Sequence, residues 1–167
     1  MREISAFGPS ELGPLVVQLT VSDAKAAIAY YRAVFCADEL YRNTENDRGR
    51  VVHCELLIRG ARVAVHDEFP EFDLLAPTSL AGASVSLNLY VEDVDLTFGT
   101  ALEKGGRRIA DPQDRFWGAR SGSFLDPFGH RWVVTTQVDD PSPEEIIIRS
   151  KSAPIGERLS AAPNRKA

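Results

Sequence analysis

The three histidines, His53, His66 and His130, and the acids beside them have the side chains in this sequence that can move a proton or hold a metal. His53 and Glu55 stand two apart, so on a strand both side chains leave by the same face. They suit a metal pair or an acid–base pair. A solvated or ion-paired strand face is more economical, because two ligands alone do not hold a metal. His66 runs straight into Asp67 and Glu68. Its imidazole titrates near neutrality and can serve as a general base, although a strand-end histidine hydrogen-bonded at a rim is the simpler role. His130 lies in the turn string Asp126-Pro127-Phe128-Gly129-His130-Arg131-Trp132 and reads as structural. Phe116, Trp117 and Arg120 fall in a segment read as a loop between strands. There the rings can close over a planar ligand, with the guanidinium adding charge or hydrogen bonds. The competing role for Trp117 is to plug an apolar barrel end or a dimer seam. Tyr30-Tyr31 reads as helix core. No phosphate loop, Ser/His/Asp nucleophile motif or dinucleotide fingerprint is visible.

The elements that must position these residues come as a repeat. Residues 15–24, Leu-Val-Val-Gln-Leu-Thr-Val-Ser-Asp-Ala, match residues 85–94, Val-Ser-Leu-Asn-Leu-Tyr-Val-Glu-Asp-Val, at an offset of 70. Val17, Leu19 and Val21, and likewise Leu87, Leu89 and Val91, alternate as the apolar row of a half-buried strand. Each strand ends in Val-x-Asp, which places Asp23 and Asp93 as helix N-caps. Helices follow, with Ala24, Ala27, Ile28, Tyr31 and Phe35 at helical spacing in the first and Val94, Phe98, Ala101 and Leu102 in the second. Gly105-Gly106 stops the second. Three strands then follow in each half, at 39–42, 51–58 and 62–66, and at 107–110, 122–125 and 132–137. The turn Arg59-Gly60 corresponds to Phe128-Gly129. Between the halves, residues 67–83 carry Pro70, Pro77 and Gly82 and read as an irregular linker. Ser142-Pro143-Glu144-Glu145 reads as a capped helix start, and the tail beyond 152 as mobile.

Composition narrows the partners. The chain has 167 residues, 44% of them hydrophobic and 26% charged, with net charge −5. That suits a folded protein with a real core. The nineteen Lys and Arg are scattered, so nucleic acid and anionic membrane are disfavoured as partners. No run approaches the roughly twenty apolar residues of a membrane span, and no signal peptide is read at the N-terminus. Two cysteines, Cys36 and Cys54, make neither a disulfide framework nor a Cys-rich zinc site. The expected location is the cytoplasm.

The string Val21-x-Asp23-Ala24 leads into Ala27-Ile28-x-Tyr30-Tyr31 and Phe35. Together with Val91-x-Asp93-Val94 and the closing Asp126–Trp132 string, it resembles the vicinal oxygen chelate superfamily, the glyoxalase, bleomycin-resistance and extradiol-dioxygenase fold. The loop Asp114-Arg115-Phe116-Trp117-Gly118-Ala119-Arg120 is similar to that of the phosphonate-operon-B-like branch. The resemblance covers residues 12–138. It implies an α+β fold of two tandem βαβββ modules forming a curved, barrel-like mixed sheet with a central cleft. The modules are 12–67 and 84–138 within a single domain, preceded by an extension at 1–11 and followed by a helix and tail at 139–167. Cys36 departs from the glycine that relatives usually carry after the first helix.

The resemblance also implies a divalent metal held by one ligand from each of four strands. Carried onto this chain, those positions are Val16, Ala64, Ser86 and Val133: three hydrocarbons and a neutral hydroxyl, which argues against the usual site. Alternation places Gln18, Thr20, Arg62, His66, Asn88, Tyr90 and Thr135 on the cleft side as well. The expected lining is neutral and polar with aromatic edges, suited to an amphipathic organic molecule. The leading expectation is a metal-free protein, similar to bleomycin resistance proteins, that binds a small hydrophobic or aromatic molecule through Gln18, Thr20, His66, Ser86, Asn88, Tyr90, Phe116, Trp117, Arg120 and Thr135. The alternative is a lyase, isomerase or dioxygenase using zinc, nickel, manganese or iron at a displaced site of His53, Glu55 and His66. A scaffold role with a vestigial cleft is the third. The resemblance implies a homodimer.

Overall fold

A computed structural model describes residues 15–45 and 49–155. The expected N-terminal extension and most of the expected mobile tail lie outside them. The chain divides into two compact units, with the boundary between Leu80 and Ala81, inside the span read as a linker. Each unit is one copy of the repeat. The first holds β1 (Val17–Val21), α1 (Ala24–Phe35), β2 (Asp38–Thr44), β3 (Val51–Ile58) and β4 (Ala61–Asp67). The second holds β5 (Ser86–Tyr90), α2 (Val94–Glu103), β6 (Arg107–Asp114), β7 (Ala119–Leu125), β8 (Arg131–Gln137) and α3 (Pro143–Ser152). The sheets have the same topology, β1-β4-β3-β2 and β5-β8-β7-β6, with the first pair of each parallel and the others antiparallel. The architecture is α+β, two tandem βαβββ modules.

Local chemistry sets the ends of the elements. Asp23 and Asp93 cap α1 and α2 by accepting from the backbone N–H groups of Ala26 and Leu96, each at 2.9 Å. Arg59 and Gly60 both have positive φ, the turn whose twist matches a two-residue hairpin, here joining β3 to β4. Gly105, at φ 101°, ends the second helix region, where Gly106 N–H returns to the Ala101 carbonyl at 2.8 Å. Ser142 and Glu145 form a reciprocal capping box at the start of α3.

Helix α1 covers one face of the first sheet, burying Ile28, Tyr31 and Phe35 together with Leu19, Val21, Leu56 and Val65. In the second unit Phe98 of α2 meets Phe124 of β7 edge to face at 6.0 Å, over Trp132 and Val134. A Cβ on Gly122 would come within 3.1 Å of the Phe98 ring, so β7 carries its even-numbered residues toward α2.

Three spans differ from the sequence expectation. Strand β6 runs on through Asp111-Pro112 to Asp114, because register shifts on either side of Ala110 let the proline sit in the strand without breaking the ladder. Strand β7 begins at Ala119, so Arg120 is a strand residue and not a loop residue. The linker is locally ordered. Phe69 bridges Leu74 around a 3-10 turn at Pro70–Phe72, and the Glu68 carboxylate accepts from Ala76 N–H at 2.9 Å and Ser79 Oγ at 2.8 Å.

Cys36 caps α1 in the left-handed region, at φ 54° and ψ 40°. A side chain there is strained by contact with its own backbone, a strain glycine does not feel. Cys36→Gly is therefore expected to raise stability by about 0.5–1 kcal/mol. Urea unfolding checks it, and an unchanged or lower midpoint would contradict the strain.

Candidate functional site

In each unit the sheet face away from the helix carries the polar residues. On the first, the register sets Gln18 opposite Ala64, Thr20 opposite His66, and Ala64 opposite Glu55. His66 is 3% exposed. Its Nδ1 lies 2.7 Å from the Asp67 carbonyl, which can only accept, so Nδ1 carries the proton. Nε2, 3.1 Å from Thr20 Oγ1, then accepts from that hydroxyl. Both ring nitrogens are thus engaged within the chain. The acids that follow serve the backbone. Asp67 accepts from Ala24 N–H at 2.7 Å and Val51 N–H at 2.6 Å, tying the end of β4 to the start of α1 and of β3.

His53 and Glu55 do share a face of β3. The His53 ring stacks on Tyr41 at 5.5 Å, and its Nε2 lies 3.5 Å from Glu55 Oε1. Glu55 is also the acceptor for Arg62 Nη1 at 2.6 Å and for the Tyr41 hydroxyl at 3.4 Å. Burial raises the Glu55 carboxyl, but Arg62 and then His53 outweigh it and hold it below the usual carboxylate range. Among the described residues no three His, Cys, Asp or Glu side chains group as a metal set, so His53, Glu55 and His66 do not assemble into one.

The second sheet presents three rows of open-face positions across β5, β8 and β7. Its rows are Ser86, Arg131 and Leu125; Asn88, Val133 and Ser123; Tyr90, Thr135 and Ser121. Ser121, Ser123, Val133 and Thr135 are all more than nine-tenths buried, while Tyr90 is 63% exposed. Ser121 Oγ accepts from Arg115 Nε at 2.9 Å, and Arg115 Nη2 also reaches the Ser121 carbonyl at 3.3 Å. The hydroxyls of Ser123 and Thr135 make no hydrogen bond among the described residues.

Arg115 also links this face to the aromatic turn. Its guanidinium lies 6.0 Å from the Trp117 ring, and Trp117 meets Phe116 edge to face at 4.9 Å. The turn closes through Arg115 N–H to the Ala119 carbonyl at 2.7 Å and Gly118 N–H to the Arg115 carbonyl at 3.0 Å.

Of the ligand residues expected from sequence, the structure brings Ser86, Asn88, Tyr90 and Thr135 onto one sheet face, with Phe116 and Trp117 tied to it through Arg115. Gln18, Thr20 and His66 share the corresponding face of the first sheet. Arg120 is placed elsewhere. It points to the helix side, where Asp95 of α2 takes its Nε and Nη2, both at 2.8 Å, and Asp114 takes Nη1 at 3.2 Å. The Arg120 bond holds the Asp95 carboxyl below its usual range, outweighing the effect of burial. The guanidinium that lies on the open face beside Ser121 is that of Arg115. Sequence reading missed Arg115, Ser121, Ser123 and Arg131, although extending the alternation two residues on β7 and β8 finds the last three.

A family model described as Glyoxalase/Bleomycin resistance protein/Dioxygenase superfamily matches residues 13–134. The chain belongs to this superfamily. The protein Rv0887c of Mycobacterium tuberculosis is 38% identical over 131 residues, covering 77% of this chain and 76% of its own. TioX from Micromonospora sp. ML1 superposes with TM-score 0.57 at 26% identity, over 74% of this chain and 98% of its own. The fosfomycin resistance protein FosX from Listeria monocytogenes superposes with TM-score 0.55 at 19% identity, over 80% and 97%.

The superfamily's metal does not fit the residues at its four positions. Val16 precedes β1 and is 38% exposed, and Ala64 and Val133 offer only buried hydrocarbon. Ser86 alone has an oxygen, a neutral one, which is a weak donor beside imidazole or carboxylate. No helix among the described residues is long and apolar enough to cross a membrane.

Proposed function

We propose that this superfamily member is a small-molecule-binding protein that holds an amphipathic, aromatic-bearing ligand without a metal, on the open face of the second sheet. One observation carries the reading. Ser123 and Thr135, 6% and 7% exposed, have hydroxyls with no hydrogen-bond partner among the described residues. Neither oxygen is among the buried unpaired polar atoms of the described residues, so each stays within reach of an arriving group, and a ligand that pairs it adds a hydrogen bond. Around them Asn88 and Tyr90 offer further neutral donors and acceptors, Val133 and Leu125 an apolar floor, and Phe116 and Trp117 an aromatic wall. Gln18, Thr20 and His66 are the counterpart lining on the first sheet. Residues 114–120 support the phosphonate-operon-B-like branch, and a cytoplasmic homodimer is the expected form.

Such a site predicts separable effects on folding and on binding. Thr135→Val removes the hydroxyl and keeps the shape. It is expected to leave folding stability within about 0.5 kcal/mol of the wild type and to weaken ligand about fivefold to tenfold. Urea unfolding and titration followed by tryptophan fluorescence measure the two, with Trp117 as the responsive ring and Trp132, 3% exposed, as the buried reference. A panel of hydrophobic antibiotics and dicarbonyl adducts that leaves the fluorescence unmoved would point to a scaffold instead. Near-stoichiometric divalent metal in protein purified without chelator would overturn the metal-free reading.

A further inference from the structure

Helix α3 turns an apolar seam away from its own unit. Ser142, Ile146 and Ser150 are partly shielded and Ala153 is 8% exposed, and these positions follow one another along a single side of the helix. The opposite side is the row Glu144, Ile147, Ile148 and Lys151, at the i, i+3, i+4, i+7 spacing of one helix face. All of that row is exposed, Ile147 by 60% and Ile148 by 64%. The helix therefore sets two serines inward and two isoleucines outward, the reverse of an ordinary surface helix. It is held in that attitude by the capping box of Ser142 and Glu145 and by Arg149 Nη1 on the Asp139 carboxylate at 2.8 Å. Two adjoining isoleucines on an ordered helix make a seam, unlike a single exposed apolar residue.

The row is complementary to itself when reversed. Laid antiparallel on a second copy, Ile147 faces the partner's Ile148 and Glu144 faces the partner's Lys151, and the two-fold axis repeats both contacts. The helix has Glu144 and Glu145 in its first turn and Arg149 and Lys151 in its last. Antiparallel copies thus set acidic end against basic end, with their macrodipoles opposed, whereas parallel copies set like against like. Lys151 keeps an interaction within its own chain, and the three donors of an ammonium leave room for a partner's carboxylate as well. With two acids balancing two bases, the helix has no net charge to draw it to an anionic lipid surface.

We infer that α3 is the seam on which two copies of this chain pair, antiparallel across Glu144, Ile147, Ile148 and Lys151. The inference rests on the homodimer expected above and assigns its interface. Burial of the isoleucines supplies the attraction and the charges supply the direction. One helix face buries less than the roughly 1,200 Å² of a standard interface, so dilution separates the dimer.

Sedimentation equilibrium of the full chain from about 5 to about 500 μM is expected to show monomer giving way to dimer. Ile147→Lys and Ile148→Glu each set a charge against an isoleucine at both of the symmetric contacts. Each variant alone should self-associate at least about tenfold more weakly than the wild type. Mixed in equal amounts, the two should regain most of the association, because the new cation then meets the new anion while the remaining isoleucines meet each other. Both positions are exposed and both replacements favour helix, so the variants are expected to fold, which far-UV circular dichroism checks. A wild-type dimer that neither substitution weakens, or a mixture that associates no more tightly than its components, would overturn the pairing and leave a homodimer built elsewhere. A wild type that stays monomeric throughout would overturn the pairing and the homodimer together, leaving the face to a partner of other chemistry.

Discussion

Asp126→Ala is expected to lower folding stability by about 4 kcal/mol, the largest effect of any substitution considered. The carboxylate is 4% exposed. Its Oδ1 accepts from Phe128 N–H at 3.0 Å and His130 N–H at 2.9 Å, and its Oδ2 accepts from Trp132 Nε1 at 3.0 Å. The backbone of the same residue completes the turn, with Asp126 N–H on the His130 carbonyl at 2.9 Å and Gly129 N–H on the Asp126 carbonyl at 3.1 Å. Alanine leaves three sequestered donors without an acceptor and releases the indole that anchors the core of the second unit. Asp126→Asn keeps the oxygen for the two amides but turns an N–H toward the indole N–H, so a loss of about 2 kcal/mol is expected. Chemical denaturation of both variants measures the order. A loss below about 1 kcal/mol for alanine would mean that the turn is held by something other than this carboxylate.

Gly118→Ala is expected to cost about 3 kcal/mol and to weaken ligand binding as well. Gly118 has φ +82°, and a Cβ there would sit 2.5 Å from Pro141 Cδ and 2.7 Å from the Asp139 carbonyl oxygen. The obstacle is largely backbone, which cannot swing aside as a flexible side chain would. That backbone is pinned in turn, since the Gly118 carbonyl accepts from Val138 and Asp139 N–H at 2.9 Å each and from Gln137 Nε2 at 3.1 Å. The methyl must push the turn off this segment, and Arg115, Phe116 and Trp117 move with it. The variant should therefore melt lower, and while still folded it should bind anilinonaphthalene sulfonate more weakly. Wild-type stability in Gly118→Ala would show that the 139–141 segment yields, and unchanged binding would separate the turn from the site.

Much of the fold was legible in the sequence because it rests on local, periodic signals. Alternation at 17–21 and 87–91, the aspartates at the helix starts and the offset between the copies state a strand, a cap and a helix without any long-range information. Where β6 and β7 were cut short, the signal was a proline and a glycine, and the register shifts that tolerate Pro112 depend on partner strands. The Asp126–Trp132 string is a related case. Its spacing is visible in the sequence, but its purpose, one carboxylate satisfying three donors two, four and six residues on, needs the turn closed.

The sequence by itself determined which side chains share a strand face, because that parity follows from the two-residue period of the backbone. It thereby placed His53 with Glu55, and Ser86, Asn88 and Tyr90 together. Which of those groups keep unused hydrogen-bonding capacity was decided by tertiary structure alone. His66, the best catalytic candidate by type, is engaged on both nitrogens by a carbonyl and a threonine hydroxyl. Arg120, expected over a ligand, belongs to the acids of α2 and β6, and Arg115 from the same turn reaches Ser121 on the open face. Residue type sets what chemistry a side chain can do. Only the neighbours brought in by folding decide whether its lone pairs and protons are already spent.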